Sequence, residues 1–362
     1  MNKMPMARQY WTNRLARPED TLAILDLVKT VYADRSSLTR DYWEWRYHSA
    51  TEFRADTVVA EHQGRPIGIQ PVAIFDFQQG KDRLKGAMYT GALTHPAHRR
   101  HGVFRSVVTG ANEHAAKRGA QFSMTMPNDE SLPGFIRFGE WESPGLIPLY
   151  LKVADGPAML RSRMGRVAAA LTGGLPQLPF RGRRDAGRSP LLDCEQVPCA
   201  PDDLDDAFDA FARDAEALMI RRTAAYWNWR YAARPGAPYR MLVARRGGRM
   251  VGAAVTSVQR RMGLDVGIVL DLVARGGVLS LRCLLREAER TLVSRGVGLV
   301  ACQATSSILR RALRDAGFLC PKPAWLPKRF HFVYRTTGVP GLRARPGELG
   351  DWHLTLGDSD NV

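Results

Sequence analysis

The sequence predicts a mixed α/β protein made of two similar units, each a mixed sheet covered by helices. Two observations carry this. The block Tyr42-Trp43-Glu44-Trp45-Arg46-Tyr47 recurs as Tyr226-Trp227-Asn228-Trp229-Arg230-Tyr231, an offset of 226 − 42 = 184. In each copy the block is followed by hairpin-like strands and then by strand–helix alternation, the pattern of mixed sheets with covering helices. The chain length of 362 residues fits two domains of ordinary size, and 45% hydrophobic residues suffice for two cores.

The repeat runs without a gap through Val59-Ala60 against Val243-Ala244, and through Gly64-Arg65 and Gly68 against Gly248-Arg249 and Gly252. Further on, Arg118-Gly119 answers Arg295-Gly296 at an offset of 295 − 118 = 177, so the second copy has lost about seven residues between these anchors. In the first copy Tyr10 to Leu15 reads as a strand. Pro18-Glu19-Asp20 opens a helix over Thr21 to Tyr32, with Leu22, Ile24, Leu25, Leu27 and Val28 as its buried face. Thr57 to Glu61 and Pro66 to Phe77 read as strands joined at Gln63-Gly64. In the second copy Pro201-Asp202-Asp203 opens the first helix, and Arg240 to Ala244 and Met250 to Val258 form the hairpin. Leu264 to Val273 and Leu279 to Arg295 follow as strand and helix.

The stretch richest in chemistry lies between Met88 and Arg118. An apolar, strand-like run, Met88 to Leu93, ends in a polar turn through Thr94, Arg99, Arg100, His101 and Gly102. Val103 closes the turn, and a helix-like segment follows from Phe104 and Arg105 to Arg118. A basic turn at a helix N-terminus suits a pyrophosphate, because the first amides have no partner within the helix and the dipole favours negative charge. Gly102 lets the backbone approach the phosphates with no Cβ in the way. About 25 residues on, Gln121 to Met126 reads as a strand, then Pro127-Asn128, then a helix-like run from Gly134 to Phe138.

These residues resemble the acyl-CoA-binding motif of the GNAT acetyltransferase superfamily, written Arg/Gln-x-x-Gly-x-Gly/Ala. Arg99, Gly102 and Phe104 fall on its fixed positions, and Phe104 departs from the Gly or Ala expected there. The resemblance implies two GNAT-like domains with mostly antiparallel sheets. It implies acetyl-CoA or another acyl-CoA as co-substrate, held by Leu93, Thr94, Arg99, Arg100, His101, Gly102, Val103, Phe104 and Arg105. Asn128 matches the Asn that reaches the pantetheine arm, and Ser131 lies one turn on; capping of the next helix is the structural alternative for Asn128. In the second copy the turn shrinks to Leu272-Val273-Ala274-Arg275-Gly276-Gly277-Val278 and loses the double Arg. One acyl-CoA site per chain is therefore expected, in the N-terminal half, with the second copy shaping the acceptor pocket. A remodelled second turn that still binds is the alternative.

The superfamily's usual acid and base are absent from their places. Four residues before Gly139 stands Phe135 rather than Tyr, and Met88 to Leu93 carries no Glu. His95 and His98 flank the turn on the phosphate side, where solvated or phosphate-contacting roles are expected. The C-terminal run Gly350 to Val362 alternates Trp352, Leu354 and Leu356, so it is expected to dock and to carry Asp358 and Asp360 to a defined place. The chain is similar to the "enhanced intracellular survival" acetyltransferases in its tandem repeats and tail. Those use a buried C-terminal carboxylate as base, so Asp358 and Asp360 are the catalytic candidates; a solvated acidic end is the plain alternative. This chain lacks their third domain. Glu44, replaced by Asn228 in the second copy, hints at acceptor contact, although a shared structural role is favoured for the aromatic block.

Composition narrows the remaining classes. The net charge of +16 comes mainly from Arg spread along the chain, as on a solvated surface. No nucleic-acid partner is expected. The basic segment 157–188 allows weak contact with a membrane surface. No run of 18 apolar residues is present and the N-terminus lacks a signal core, so a cytoplasmic protein is expected. Cys194, Cys199, Cys283, Cys302 and Cys320 match neither zinc nor disulfide spacing, and no metal is expected. The expected boundaries are 1–154 for the acyl-CoA domain, 155–190 for a basic linker, 191–335 for the degenerate domain and 336–362 for the tail. The expected activity is transfer of an acyl group from acyl-CoA to an amine of a small molecule or sugar. The alternatives are a FemABX-like, aminoacyl-tRNA-dependent peptide-bond former, or a non-catalytic acyl-CoA-binding protein.

Overall fold

Turn chemistry sets the first hairpin. Strands β2 (Ala55–His62) and β3 (Arg65–Gln79) are joined at Gln63 and Gly64, both at positive φ (49° and 73°), the turn whose twist matches paired strands. The computed structural model describes residues 10–32, 39–49, 51–138, 140–156, 192–236, 238–261, 263–336 and 347–359. The segment 157–188, Gly139 and Asp360 lie outside the described residues.

Before the hairpin come β1 (Thr12–Leu15), α1 (Thr21–Val31) and α2 (Arg40–Trp43), which runs on as a π-helical turn over Glu44–His48. After it come β4 (Asp82–Tyr89), β5 (Leu93–Thr94), α3 (Val103–Lys117), β6 (Phe122–Thr125), α4 (Leu132–Phe138), β7 (Glu142–Leu146) and β8 (Leu149–Val153). Helix α1 buries Ile24, Leu25, Leu27 and Val28, but Leu22 is 65% exposed: on the helical wheel it lies beyond the stripe that meets the sheet. The expected single strand Met88 to Leu93 is broken at residues 90–92, where Gly91 takes φ 57°.

The second copy repeats the plan. It consists of β9 (Asp193–Val197), α5 (Leu204–Ala215), β10 (Met219–Ile220), α6 (Ala224–Trp227) with its π-helical turn Asn228–Ala232, and β11 (Arg240–Arg246). Then follow β12 (Arg249–Arg261), β13 (Leu264–Ala274), α7 (Gly277–Val293), β14 (Leu299–Gln303), α8 (Ser307–Asp315) and β15 (His331–Thr336). Even the caps repeat: Thr39 accepts from Tyr42 N and Thr223 from Tyr226 N. The repeated glycines have a steric cause. A Cβ on Gly68 would stand 2.5 Å from Val103 Cγ1, and one on Gly252 2.3 Å from the Val273 carbonyl oxygen.

The sheets do not follow the chain halves. The first runs β1-β2-β3-β4-β6-β15-β7, with β5 and β10 also on β3. The second runs β8-β14-β13-β12-β11-β9. Each unit has thus given its last strand to the other. Both sheets are mixed and mostly antiparallel; β4–β6 and β13–β14 are parallel. The two aromatic blocks meet between the units. Trp45 stacks on Trp229 at 4.9 Å, and its indole N–H donates to the Trp229 carbonyl at 3.0 Å. The block is therefore an interface in both copies.

The exchange makes a direct prediction. Residues 1–156 produced alone lack β15, leaving facing edges of β6 and β7 unpaired. They are expected to aggregate, and co-expression of 192–362 is expected to return them to solution. A soluble, monomeric 1–156 on size exclusion would contradict the exchange.

Candidate active site

The site is built at the break between β4 and β5. β4 pairs in parallel with β6 from Gly86–Phe122 to Tyr89–Thr125. Beyond Tyr89 the chain bulges, and β5 pairs with β3 alone through Gly68–Thr94 and Ile69–Leu93. A wedge opens where β6 has left. His95 N–H donates to the Ile67 carbonyl, so by alternation the Thr94 N–H points the other way, into the wedge. Three buried polar atoms around the bulge have no hydrogen-bond partner among the described residues: Thr90 Oγ1, Thr94 Oγ1 and Gln70 Oε1. The Gln70 amide nitrogen is held by the Pro71 and Thr90 carbonyls. Orphaned polar atoms at a backbone break mark a place for a polar ligand.

The turn leading to α3 is basic and exposed at Arg99, Arg100 and His101. Gly102 caps the helix at φ 95°, a conformation that favours glycine, and Arg100 sits at φ 65°. The first bond into the helix runs from Ser106 N–H to the Gly102 carbonyl. The amides of Val103, Phe104 and Arg105 precede it and face the turn. Trp11 and Asn13 of the N-terminal segment brace this end by donating to Ser106 Oγ at 3.1 and 2.8 Å. Phe104, the departure from the motif, does not fill the turn. Its ring lies against Gly134, whose Cβ would stand 2.6 Å away, and meets Phe135 edge-on at 5.3 Å.

Histidines gather on the outer side. Tyr10 OH bonds His98 Nδ1 at 2.9 Å, and its ring lies 4.9 Å from His62 and 6.0 Å from His101; His95 is 5.4 Å from His98. Partial burial, with the charges of His95, His62 and His101, pushes the His98 pKa below its ordinary value. Asn128 is exposed; its side-chain oxygen accepts from the Ser131 N–H and hydroxyl, both at 2.8 Å, as a cap for α4. Glu44 is exposed and pairs with Arg40. No cluster of three metal-ligating side chains occurs among the described residues.

The second copy has the same wedge, and it is full. Parallel pairing of β13 with β14 ends at Val269–Cys302. Past that point the C-terminal tail lies across the opening. Thr305 Oγ1 donates to the Trp352 carbonyl and accepts from Leu354 N–H, and Ser306 Oγ bonds His353 Nδ1 at 2.8 Å. Arg230 donates to the carbonyls of Gly357 and Ser359. Asp358 is buried; Arg222 Nη2 reaches it at 2.7 Å, and it also accepts from Thr355 N–H. The same guanidinium faces Asp271 at 3.3 Å. Burial pushes the Asp271 carboxyl up, with Arg222 opposing and Asp358 adding to the rise. Burial, with the charge of Arg222, holds His353 well below its ordinary pKa, so it sits neutral in the tail. The tail docks, with Trp352 against Phe122 of the first sheet and Asp358 at Arg222 in the second wedge. The structure runs Leu93 to Arg105 from β5 into α3, sets Asn128 and Ser131 between β6 and α4, and ties Asp358 to Arg222 at the second wedge.

Residues 12–143 match the family described as the acetyltransferase (GNAT) domain. No curated protein matches the sequence. Among solved structures, a GCN5-related N-acetyltransferase from Anabaena variabilis aligns with TM-score 0.59 and 11% identity, covering 90% of this chain and 73% of that one. The N-myristoyltransferase of Saccharomyces cerevisiae with bound myristoyl-CoA aligns at 0.57 and 9%, covering 92% and 84%. A tandem GNAT protein from the clavulanic acid biosynthesis pathway aligns at 0.51 and 15%, covering 91% and 100%. The chain has the tandem GNAT fold, and its first unit carries the GNAT acetyltransferase domain. No helix among the described residues is long and apolar enough to cross a membrane.

Asp358→Ala removes one of the two carboxylates on a buried guanidinium. Breaking such a pair costs about 3–5 kcal/mol, to be read by denaturant unfolding, with acyl-CoA affinity unchanged in the folded protein. A variant of native stability that had lost turnover would instead put this carboxylate in the reaction.

Proposed function

We propose that the chain is an acyl-CoA-dependent N-acyltransferase with one donor site, in the first unit, acting on an amine of a small molecule or sugar. The observation that carries this is the contrast between the wedges: among the described residues no tail crosses the first, which is led by a basic helix N-terminus, and the chain's own tail closes the second. The amides of Val103, Phe104 and Arg105, with Arg99 and Arg100, take the pyrophosphate. The pantetheine arm runs into the wedge beside Asn128. The thioester then lies at the bulge, where the Thr94 N–H meets the carbonyl oxygen and stabilises the charge that grows on it. The amine nitrogen attacks the carbonyl carbon, the C–S bond breaks, and the ammonium gives up a proton. Asp358 holds the tail. Acetyl-CoA or a longer acyl-CoA is the donor, and the second unit walls the acceptor side.

The donor site is tested by thermal stability with and without acyl-CoAs. Ligand at about a hundred times its Kd adds about 2.7 kcal/mol to stability. Gly102→Glu, which sets a carboxylate and a strained backbone against the phosphates, is expected to abolish the shift while leaving the free protein folded. An undiminished shift in that variant would remove the turn from the site.

Acidity supplies a second check. A phosphate beside His98 favours its protonated form, so binding raises the pKa that burial has lowered. Affinity for CoA is expected to rise as pH falls from about 7.5 to about 5.5, about tenfold for each unit by which binding raises the pKa. His98→Gln flattens that rise in calorimetric titrations; an equally steep rise in the variant would exclude His98.

A further inference from the structure

The two crossings between the sheets are built unequally. The first unit passes from β7 to β8 through residues 147–148 alone. The second leaves the edge of the second sheet at Leu319, which bridges to Leu151 of β8, and enters β15 at His331, so its crossing takes residues 320–330. Between α8, ending at Asp315, and β15 the described chain has one short 3-10 turn, Pro323–Trp325. Connections of that length in a compact fold are usually functional. This one is also fastened. Leu319 exchanges both backbone hydrogen bonds with Leu151, and the Phe330 carbonyl accepts from Ile147 N–H. Pro321, Pro323 and Pro327 fix φ in between.

The side chains on display suit neither a core nor a plain solvated connector. Trp325 is 74% exposed and Leu319 61%. Paired and alternate residues of a ladder share a face, so Leu319, Leu151 and Val153 point the same way, and Val153 is exposed as well. Lys322, Lys328 and Arg329 are exposed, and residues 319–330 contain no Asp or Glu. Lys322 Nζ lies 5.8 Å from the centre of the Trp325 ring, and Lys328 Nζ 5.4 Å from that of Phe330. Asp129 feels the charge of Arg329 and is bonded to His331. An exposed indole beside cations and an aliphatic edge is the chemistry of a water–lipid boundary. The indole rests among headgroups, the aliphatic side chains enter the acyl region and the cations meet lipid phosphates. A nucleic acid would use the cations and the indole but leave Leu319 and Val153 wet.

We propose that the crossing 319–330 is a docking surface for an anionic phospholipid bilayer, with Trp325 at headgroup level and Lys322, Lys328 and Arg329 against the phosphates. The proposal stands apart from the acyl-transfer reading, because none of these residues belongs to the donor site. It also places the contact on a surface distinct from the basic segment 157–188.

The test is co-sedimentation of the full chain with vesicles of phosphatidylglycerol and phosphatidylcholine in equal parts, and with vesicles of phosphatidylcholine alone. The wild type is expected to bind the anionic vesicles, less so as salt rises, and to ignore the neutral ones. Trp325→Ala is expected to weaken binding about tenfold. Lys322→Gln, Lys328→Gln and Arg329→Gln together are expected to weaken it about 100-fold, about fivefold for each charge. Denaturant unfolding of Trp325→Ala is expected to match the wild type, since the ring is exposed; should the triple variant unfold more easily, Trp325→Ala carries the test. Brominated phosphatidylglycerol is expected to quench tryptophan fluorescence in the wild type and much less in Trp325→Ala. Residues 157–188 are intact in every variant, so undiminished binding by Trp325→Ala would put the contact elsewhere and overturn the proposal. Failure of the wild type to bind anionic vesicles, equal binding to neutral ones, or loss of the vesicles to competing duplex DNA would overturn it too.

Discussion

The reciprocal gift of a last strand is the constraint on which the rest depends. β15, from the second unit, sits between β6 and β7 of the first sheet, while β8, from the first unit, lies beside β14 in the second. The wedge at β4 and β6 can open only because β6 is held on its other side, and the strand that holds it is β15. The aromatic interface follows from the same arrangement: once the strands are exchanged, the two repeated blocks face one another, and Trp45 can reach the Trp229 carbonyl. The proposed donor site in one half of the sequence is thus completed by the other half.

Two identical architectural wedges have been given different contents. In one, a turn shortened by six residues (Ala274 to Gly276 against Thr94 to Gly102) goes with a peptide tail fastened by Thr305, Arg230 and Arg222. In the other, the longer turn supplies open amides and the bulge supplies orphaned hydroxyls. In the closed wedge, burying Asp271 and Asp358 around Arg222 is tolerable only as a complete set, and Gln303 and His353 Nε2 still keep buried polar atoms without a partner among the described residues. By the pairing of the ladders, the open one has Gly91 where the closed one has Asp271.

Much of this was legible in the sequence because it is written locally. The repeat announced two units, Gln63-Gly64 announced a hairpin, and Arg99 to Phe104 announced a basic helix start. The strand exchange was not legible: β8 and β15 alternate like any half-buried strand, and alternation says which face is buried but not which sheet is joined. The break after Tyr89 was missed because Met88 to Leu93 reads as one apolar run, and with it the pairing of Gly91 with Asp271, since the length change in the turn hides that register. The Trp alternation in the tail announced docking, and only contacts could say that the second unit receives it. Leu22 and Phe104 show the same limit, since hydrophobicity alone does not choose the partner.

The order of the strands along the chain also has a consequence in time. β15, ending at Thr336, and the docked tail, reaching Ser359, are synthesised after every other element of the two sheets. Until then the first sheet carries a gap beside β6 and the second wedge stands empty. A nascent chain can form the first hairpin and the basic turn early, yet it cannot own a finished donor cleft. A chain interrupted before β15 forfeits the strand that supports the wedge encoded near its beginning.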